Sequence, residues 1–299
     1  MSQLPMEQPI LIPSNLPSIF DSILTLLLTI VLPLLALHLI HHDYQSFLRL
    51  GPGGTPSTPT GYLKIKLLSI LSLRDPLRPL PIPPHFRPQT GHLRTLPKRR
   101  GPRPIIAGIA PQRQQSQRSS PSTYAALVAR LRLLAQEPRN MLLERTSCFE
   151  KHSSGLFART PITRTCGGEI CHAHPSDGSM HLTLHPADVK VVIEAGWGER
   201  HPLARGGWFR RFVPREFVLV YAPREEADLE VLMEVVGAAV WWVSGLDVKG
   251  RGGEGDGEGE RRREADVGEI RKAREENECW SCRVHGCGRR TVEGMVDDA

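Results

Sequence analysis

The chain has 299 residues and a formal net charge of +6, with 40% hydrophobic and 23% charged residues. That length holds one large domain or two ordinary ones, and the composition excludes wholesale disorder and a polytopic membrane protein. Six Cys in so long a chain make no small disulfide scaffold, while 27 Gly and 26 Pro point to long irregular stretches.

The charge is unevenly spread. Residues 74–118 carry ten Arg or Lys and one acid, Asp75, whereas residues 249–299 carry eleven basic and thirteen acidic residues. A local excess of this kind is weak support for nucleic-acid binding, and no nucleic-acid partner is expected.

Residues 1–21 form an N-terminal flank. Residues 22–40 contain no Asp, Glu, Lys or Arg and are rich in Leu and Ile. A membrane-spanning helix needs about 20 apolar residues, so the run is just long enough. Pro33 is tolerable in a bilayer helix and kinks it. A cleaved signal peptide is the competing reading. No Lys or Arg precedes the run and no small-residue cleavage site follows it, which favours an uncleaved single anchor. Arg49, Lys64 and Lys66 lie on its C-terminal side, so the positive-inside rule places the body of the protein in the cytosol. The expected localisation is a membrane, crossed once.

Residues 62–73 are apolar but short, and they hold Lys64 and Lys66. They fit an interfacial helix or one packed on the domain. The segment 76–111 has ten Pro mixed with Arg87, Arg94, Lys98, Arg99, Arg100 and Arg103. Pro forbids regular helix there. The charge suits anionic membrane lipid as a partner, at about 1 kcal/mol per basic residue near the surface, or else a solvated linker. Residues 41–120 are thus a basic, Pro-rich region ahead of a folded domain at 121–248.

In that domain residues 124–136 read as a helix ended by Pro138. Residues 148–158 suit a strand or a hairpin. Residues 169–174 and 179–185 are strands joined by Pro175, Ser176, Asp177 and Gly178, which is turn chemistry. Residues 186–195 read as a helix entered through Pro186, 216–221 as a strand, and 225–243 as a long helix with an acidic start. This order argues for an α+β fold: a small antiparallel sheet with helices packed on one face, preceded by one N-terminal transmembrane helix.

The hairpin carries the chemistry. A two- or four-residue loop pairs 174 with 179, 172 with 181 and 170 with 183. His172 then lies across from His181, with His174 and His185 on the same face. Cys171, Ala173, Met180, Leu182 and Leu184 take the core face. A three-residue loop with a bulge at Gly178 breaks this register. Histidines so clustered are a plain polar face, a three-nitrogen metal site, or acid–base groups near neutral pH. Spacing does not separate the last two. Downstream, Gly196-Trp197-Gly198 reads as a tight loop presenting an aromatic. Arg200 and His201 beside it suit an acidic or phenolic ligand; the alternative is a turn with Trp197 plugging the core.

The tail at 249–299 is a Gly/Glu-rich stretch and a mixed charge run, which read as disordered or as a solvated helix. Cys279, Cys282, His285 and Cys287 are zinc ligands in kind, but nine residues hardly wrap a tetrahedron. Retained non-coding sequence explains the tail at least as well.

Residues 169–203 and 217–224 resemble the fungal luciferase family. The pattern is His172-x-His174, then His181-Leu182, then Gly196 through Ala204, then Tyr221-Ala222-Pro223-Arg224. Asp43-Tyr44-Gln45, Gly61-Tyr62, Arg103-Pro104 and Gln112-Arg113-Gln114 extend the likeness, which covers about residues 20–248. It implies that the Pro/Arg segment is draped on the domain. It also implies oxidation of a hispidin-type pyrone, 3-hydroxyhispidin, by molecular oxygen, with neither metal nor organic cofactor. Such chemistry needs a base and groups that hold an anion. The catalytic candidates are His172, His174, His181, Arg200 and His201, and the substrate-binding candidates are Trp197, Tyr221 and Arg224. His185 and Asp177-Gly178-Ser179 look more like the non-luminous relatives. A non-catalytic module that binds a small molecule or a partner at the membrane, and a His-ligated metal-dependent enzyme, are the alternatives.

Overall fold

The computed structural model describes residues 16–82, 84 and 88–248. The tail, with Cys279, Cys282, His285 and Cys287, lies outside the described residues, as does Arg87. The chain divides into two compact units, Met1–Arg49 and Leu50–Ala299.

In the first unit, helix α1 (Leu16–Leu26), a π-helical stretch (Leu27–Val31) and helix α2 (Leu32–Arg49) follow without interruption. Pro33 explains the π stretch. It has no N–H for the carbonyl four residues back, and its ring crowds that carbonyl. The Leu32 N–H instead bonds to the Leu27 carbonyl, five residues back. The Ser22 and Thr29 hydroxyls donate to the carbonyls of Ser18 and Thr25, so these polar groups are satisfied within the helix. Among the described residues this is the one helix long and apolar enough to cross a membrane, and its most apolar window is wholly exposed.

The second unit is α+β. A two-stranded ribbon joins β1 (Ile106–Gly108) to β2 (Gln112–Gln114). The main sheet holds β3 (Leu142–Thr146), β4 (Ser154–Ala158), β5 (Glu169–Ala173), β6 (Met180–Thr183), β7 (Gly198–Arg200) and β8 (Phe217–Val220). Every pairing is antiparallel, in the order β3-β4-β5-β6-β8-β7. The helices are α3 (Pro59–Ile70), α4 (Pro121–Gln136), α5 (Pro186–Glu194) and α6 (Glu226–Ser244).

Alternation along the strands decides what each face does. Cys171, Ala173, Met180, Leu182, Val218 and Val220 join one apolar core with Val189 and Val192 of α5 and Leu229, Leu232, Val236 and Val240 of α6. Leu127 of α4 completes it. The opposite alternation places His172, His181 and Phe217 on the other face.

The segment between α3 and the ribbon is laid along the domain. Leu80 and Leu93 enter the main core. The Arg99 N–H bonds the Ala195 carbonyl, the Lys98 ammonium donates to Glu194 O, and the Trp197 indole N–H donates to Pro97 O at 2.6 Å. Two of its arginines serve the fold. Arg99 is buried with its guanidinium over the rings of Trp197 and Tyr221, and Arg103 pairs with the buried Glu199. Asp188, fully buried in the first turn of α5, clamps the strap by accepting the N–H groups of His92 (3.1 Å) and Leu93 (2.7 Å). Replacing Asp188 by Ala strips the buried Leu93 N–H of this acceptor, at about 1–3 kcal/mol, and takes the half-buried His92 N–H off it as well. The expected result is a folded protein with a lower thermal midpoint and faster proteolysis near Leu93. A midpoint equal to wild type removes the clamp.

Candidate active site

The turn 175–178 closes the hairpin in the four-residue form. Gly178 sits at φ +80°, where a Cβ would meet the Ser119 side chain at 2.3 Å. Cys171 pairs with Leu182, His172 with His181 and Ala173 with Met180, and His174 N–H bonds the Ser179 carbonyl at 2.8 Å. The expected register holds, and His172, His174 and His181 come together.

His185 does not join them. The strand ends at Thr183, and Pro186 opens α5, so His185 turns away to become the helix N-cap. Its Nδ1 accepts the Ala187 N–H, its Nε2 faces the Pro88 carbonyl, and its ring lies 4.9 Å from that of Trp242. The expectation that it shares the histidine face is corrected on that ground.

A β-bulge adds a residue that alternation misplaces. Leu156 pairs with Cys171, yet the next residue, Phe157, pairs with Glu169, which leaves Ile170 unmatched. Ile170 and Cys171 both enter the core, and Glu169 is thrown onto the histidine face. Its carboxylate meets His172 Nδ1 at 2.6 Å and accepts the Ser147 hydroxyl and the Cys148 N–H, each at 2.6 Å.

The other two rings are held in the same manner. His174 Nδ1 lies 2.9 Å from Ser179 Oγ, which donates to Asp177 Oδ1 at 2.5 Å. His181 Nε2 lies 3.0 Å from Gln112 Oε1, and the Gln112 amide donates to Glu199. Tyr221 and Arg103 also donate to Glu199. Inside the cluster, His181 Nδ1 lies 3.0 Å from His174 Nε2 and 3.3 Å from His172 Nε2. Phe217 stacks on His181 at 5.0 Å between ring centroids.

All three histidines are buried. Burial pushes His174 below the usual imidazole pKa and His181 well below it; in both cases neighbouring cationic groups add to the effect. Burial lowers His201, whose ring is 5.2 Å from that of His181, to about 3. A cavity of about 400 Å³ opens over this face, with His172, His181, His201 and Phe217 among its lining residues. Lys64, Arg113, Lys151 and Arg211 also border it. Arg113 and Glu150 form an ion pair with both side chains buried, and Glu150 Oε2 lies 4.0 Å from His174 Nε2.

Other sequence candidates sit elsewhere. Trp197 plugs the apolar core. Arg200 is buried and donates to the Ala204 carbonyl, and burial lowers its pKa to about 10. Tyr221 is a buried partner of Glu199 and Arg103, and burial drives its phenol upward. Arg224 pairs with Asp228 at 2.7 Å and donates to Arg100 O, tying α6 to the strap. None of these four borders the cavity.

Residues 167–239 match the family described as luciferase domain. The chain is 31% identical over 229 residues to a protein of Armillaria gallica named luciferase, across 70% of this chain and 84% of that relative. The chain belongs to the fungal luciferase family. A luciferase of Neonothopanus nambi is likewise 31% identical over 227 residues, covering 70% of this chain and 83% of its own. No solved structure matches the chain. The luciferase-domain match contains His172, His174, His181, Glu169 and Asp177. It excludes Gln112, Arg113 and Glu150, which complete the site from outside it.

Proposed function

We propose that the chain is a membrane-anchored oxygenase of a hydroxypyrone or a related phenolic small molecule, with molecular oxygen as co-substrate and no organic cofactor. The observation that carries this reading is the cavity of about 400 Å³ with buried neutral histidines beneath it and cations around it. Its volume falls in the range of small-molecule sites, about 300–1,000 Å³. The acidic ring hydroxyl of such a substrate ionises in solution, and the cations around the cavity draw in the electron-rich enolate. Oxygen adds to an enolate carbon and gives a peroxide anion. Arg113, with Lys64 and Arg211, stabilises both anions. Phe217 and Phe149 supply flat surface for the ring.

The test is oxygen uptake by the full-length protein in detergent against a panel of hydroxypyrones and catechols. The reading expects turnover with at least one of them. Tight binding without turnover marks a binding module and sinks the oxygenase.

The helix Ser18–Arg49 serves as the anchor in this proposal, and the segment turned to the cytosol is the second unit. Helix α3 supports a bilayer-facing surface beside the cavity. Lys64, Ile65 and Leu68 border the cavity, while Leu63, Leu67 and Ile70 are more than half exposed. Trp208, 54% exposed, lies 5.0 Å from Phe212, whose ring is under Lys64. An apolar row with basic neighbours and a Trp is the composition of an interfacial surface. In proteoliposomes, brominated lipid is expected to quench Trp208 fluorescence, and Trp208→Phe removes that component. Equal quenching of both proteins detaches this face from the membrane.

A further inference from the structure

The hydrogen-bond pattern of the three histidines fixes where their protons are. Ser147 Oγ accepts the N–H groups of Phe149 (3.2 Å) and Glu150 (3.0 Å), so its own proton goes to Glu169. Glu169 accepts there, and His172 Nδ1 carries a hydrogen toward it. Ser179 Oγ gives its proton to Asp177, so it accepts from His174 Nδ1–H. The Gln112 amide nitrogen donates to Glu199, so its oxygen accepts from His181 Nε2–H. Each ring thus spends its one N–H on an outer partner.

The consequence is three bare lone pairs aimed at one another. They belong to His172 Nε2, His174 Nε2 and His181 Nδ1, with His181 Nδ1 at 3.3 Å and 3.0 Å from the other two. All three ligand atoms lie within 4.8 Å of one another. Lone pairs facing at such distances repel unless a cation lies between them. A tetrahedral ion about 2.0–2.1 Å from each nitrogen separates its ligand nitrogens by about 3.3 Å. A carboxylate or hydroxyl behind each ligating imidazole is the usual outer shell of a metal site, since it fixes the tautomer and raises the basicity of the ligand. The geometry points to a divalent transition-metal site with His172, His174 and His181 as its protein ligands and Glu169, Ser179 and Gln112 as positioning residues.

An all-imidazole set is neutral and suits zinc, iron, copper or nickel. His172 and His181 border the cavity, so a fourth position of the ion opens toward the substrate. There the ion supplies positive charge to a deprotonated substrate oxygen, a role that rests on the oxygenase reading, whereas the ion's presence does not. This departs from the metal-free chemistry that the family resemblance implies.

The test uses the full chain carrying Cys279→Ser, Cys282→Ser and Cys287→Ser, so that the tail thiols add no zinc. Protein from cells supplied with zinc, iron and copper is analysed for elements, then stripped with a chelator and reloaded with cobalt(II). About one ion per chain is expected, with the strong visible absorption of a cobalt–imidazole site. His174→Ala, which does not border the cavity, is expected to lose at least nine-tenths of the ion. Glu169→Gln is expected to weaken it about 10–100-fold with circular dichroism unchanged. His185→Ala keeps it. Less than a tenth of an ion per reloaded chain, or equal ion content in wild type and His174→Ala, overturns the proposal. Full oxygen turnover by stripped protein overturns the ion's role. A loaded protein without turnover leaves the site standing and counts against the oxygenase reading alone.

Discussion

His181→Ala is expected to lower kcat for oxygen uptake by about 10²–10³-fold, the range for losing a positioned group that stabilises developing charge. His181 is the hub of the cluster. It contacts His172 and His174 on one side and Gln112 on the other, and it borders the cavity under Phe217. Its removal takes away the shared contact of its two neighbours and one of the three nitrogens that face into the cluster. The comparison is His185→Ala, where a helix cap worth about 1 kcal/mol is lost far from the chemistry. That variant melts earlier and turns over normally. Equal kcat for wild type and His181→Ala would remove the cluster from the reaction.

Arg113→Ala is expected to cost about 3–5 kcal/mol, the penalty for leaving a buried charge without its partner. The Arg113 and Glu150 side chains are only 4% and 6% exposed. The same guanidinium donates to Pro52 O at 2.6 Å and to Gln112 O at 3.1 Å, so three segments meet on it. At about 2–4 °C per kcal/mol for a domain of this size, the thermal midpoint falls by about 10 °C. Arg113→Met with Glu150→Leu removes both charges and is expected to recover most of the midpoint, because no ion is then stranded. The oxygenase reading expects no recovery of activity, since the cation it assigns to the substrate anion is gone. If the double variant melts as low as Arg113→Ala, packing rather than charge governs this corner.

The fold and half of the site were legible in the sequence because they follow from local rules. Asp177-Gly178 demands a turn, the turn sets the register, and the register places His172 opposite His181. Pro186 and the acidic start of α6 mark helix ends in the same local way. Two residues escaped because a single position changes the period. Alternation assigns Glu169 to the core with Cys171, and nothing in the sequence announces the bulge at Ile170 that reverses it. Alternation also carries His185 onto the histidine face, although the strand has ended two residues earlier and a cap takes over. Trp197 was open between presenting an aromatic and filling the core; its indole N–H on Pro97 O lies in a contact 100 residues distant, which no local pattern encodes. Gln112, Arg113 and Glu150 escaped for that reason too. They belong to the site only once the ribbon is folded over the sheet.

The strap and ribbon impose an order of events on synthesis. Gln112 and Arg103 leave the ribosome well before His181 and Glu199, their partners 69 and 96 residues later. The strap also lies against Ala195 and Trp197, which do not yet exist when it emerges. Contacts so distant along the chain close slowly, because loop-closure entropy must be overcome first. The cavity, lined by residues from Gly54 to Phe217, is therefore complete only after its later residues have emerged. Until those partners have been made, the strap is a Pro-rich, basic length of chain, kept from helix by its prolines. The same composition that lets it wait in solution lets it lie along the finished domain.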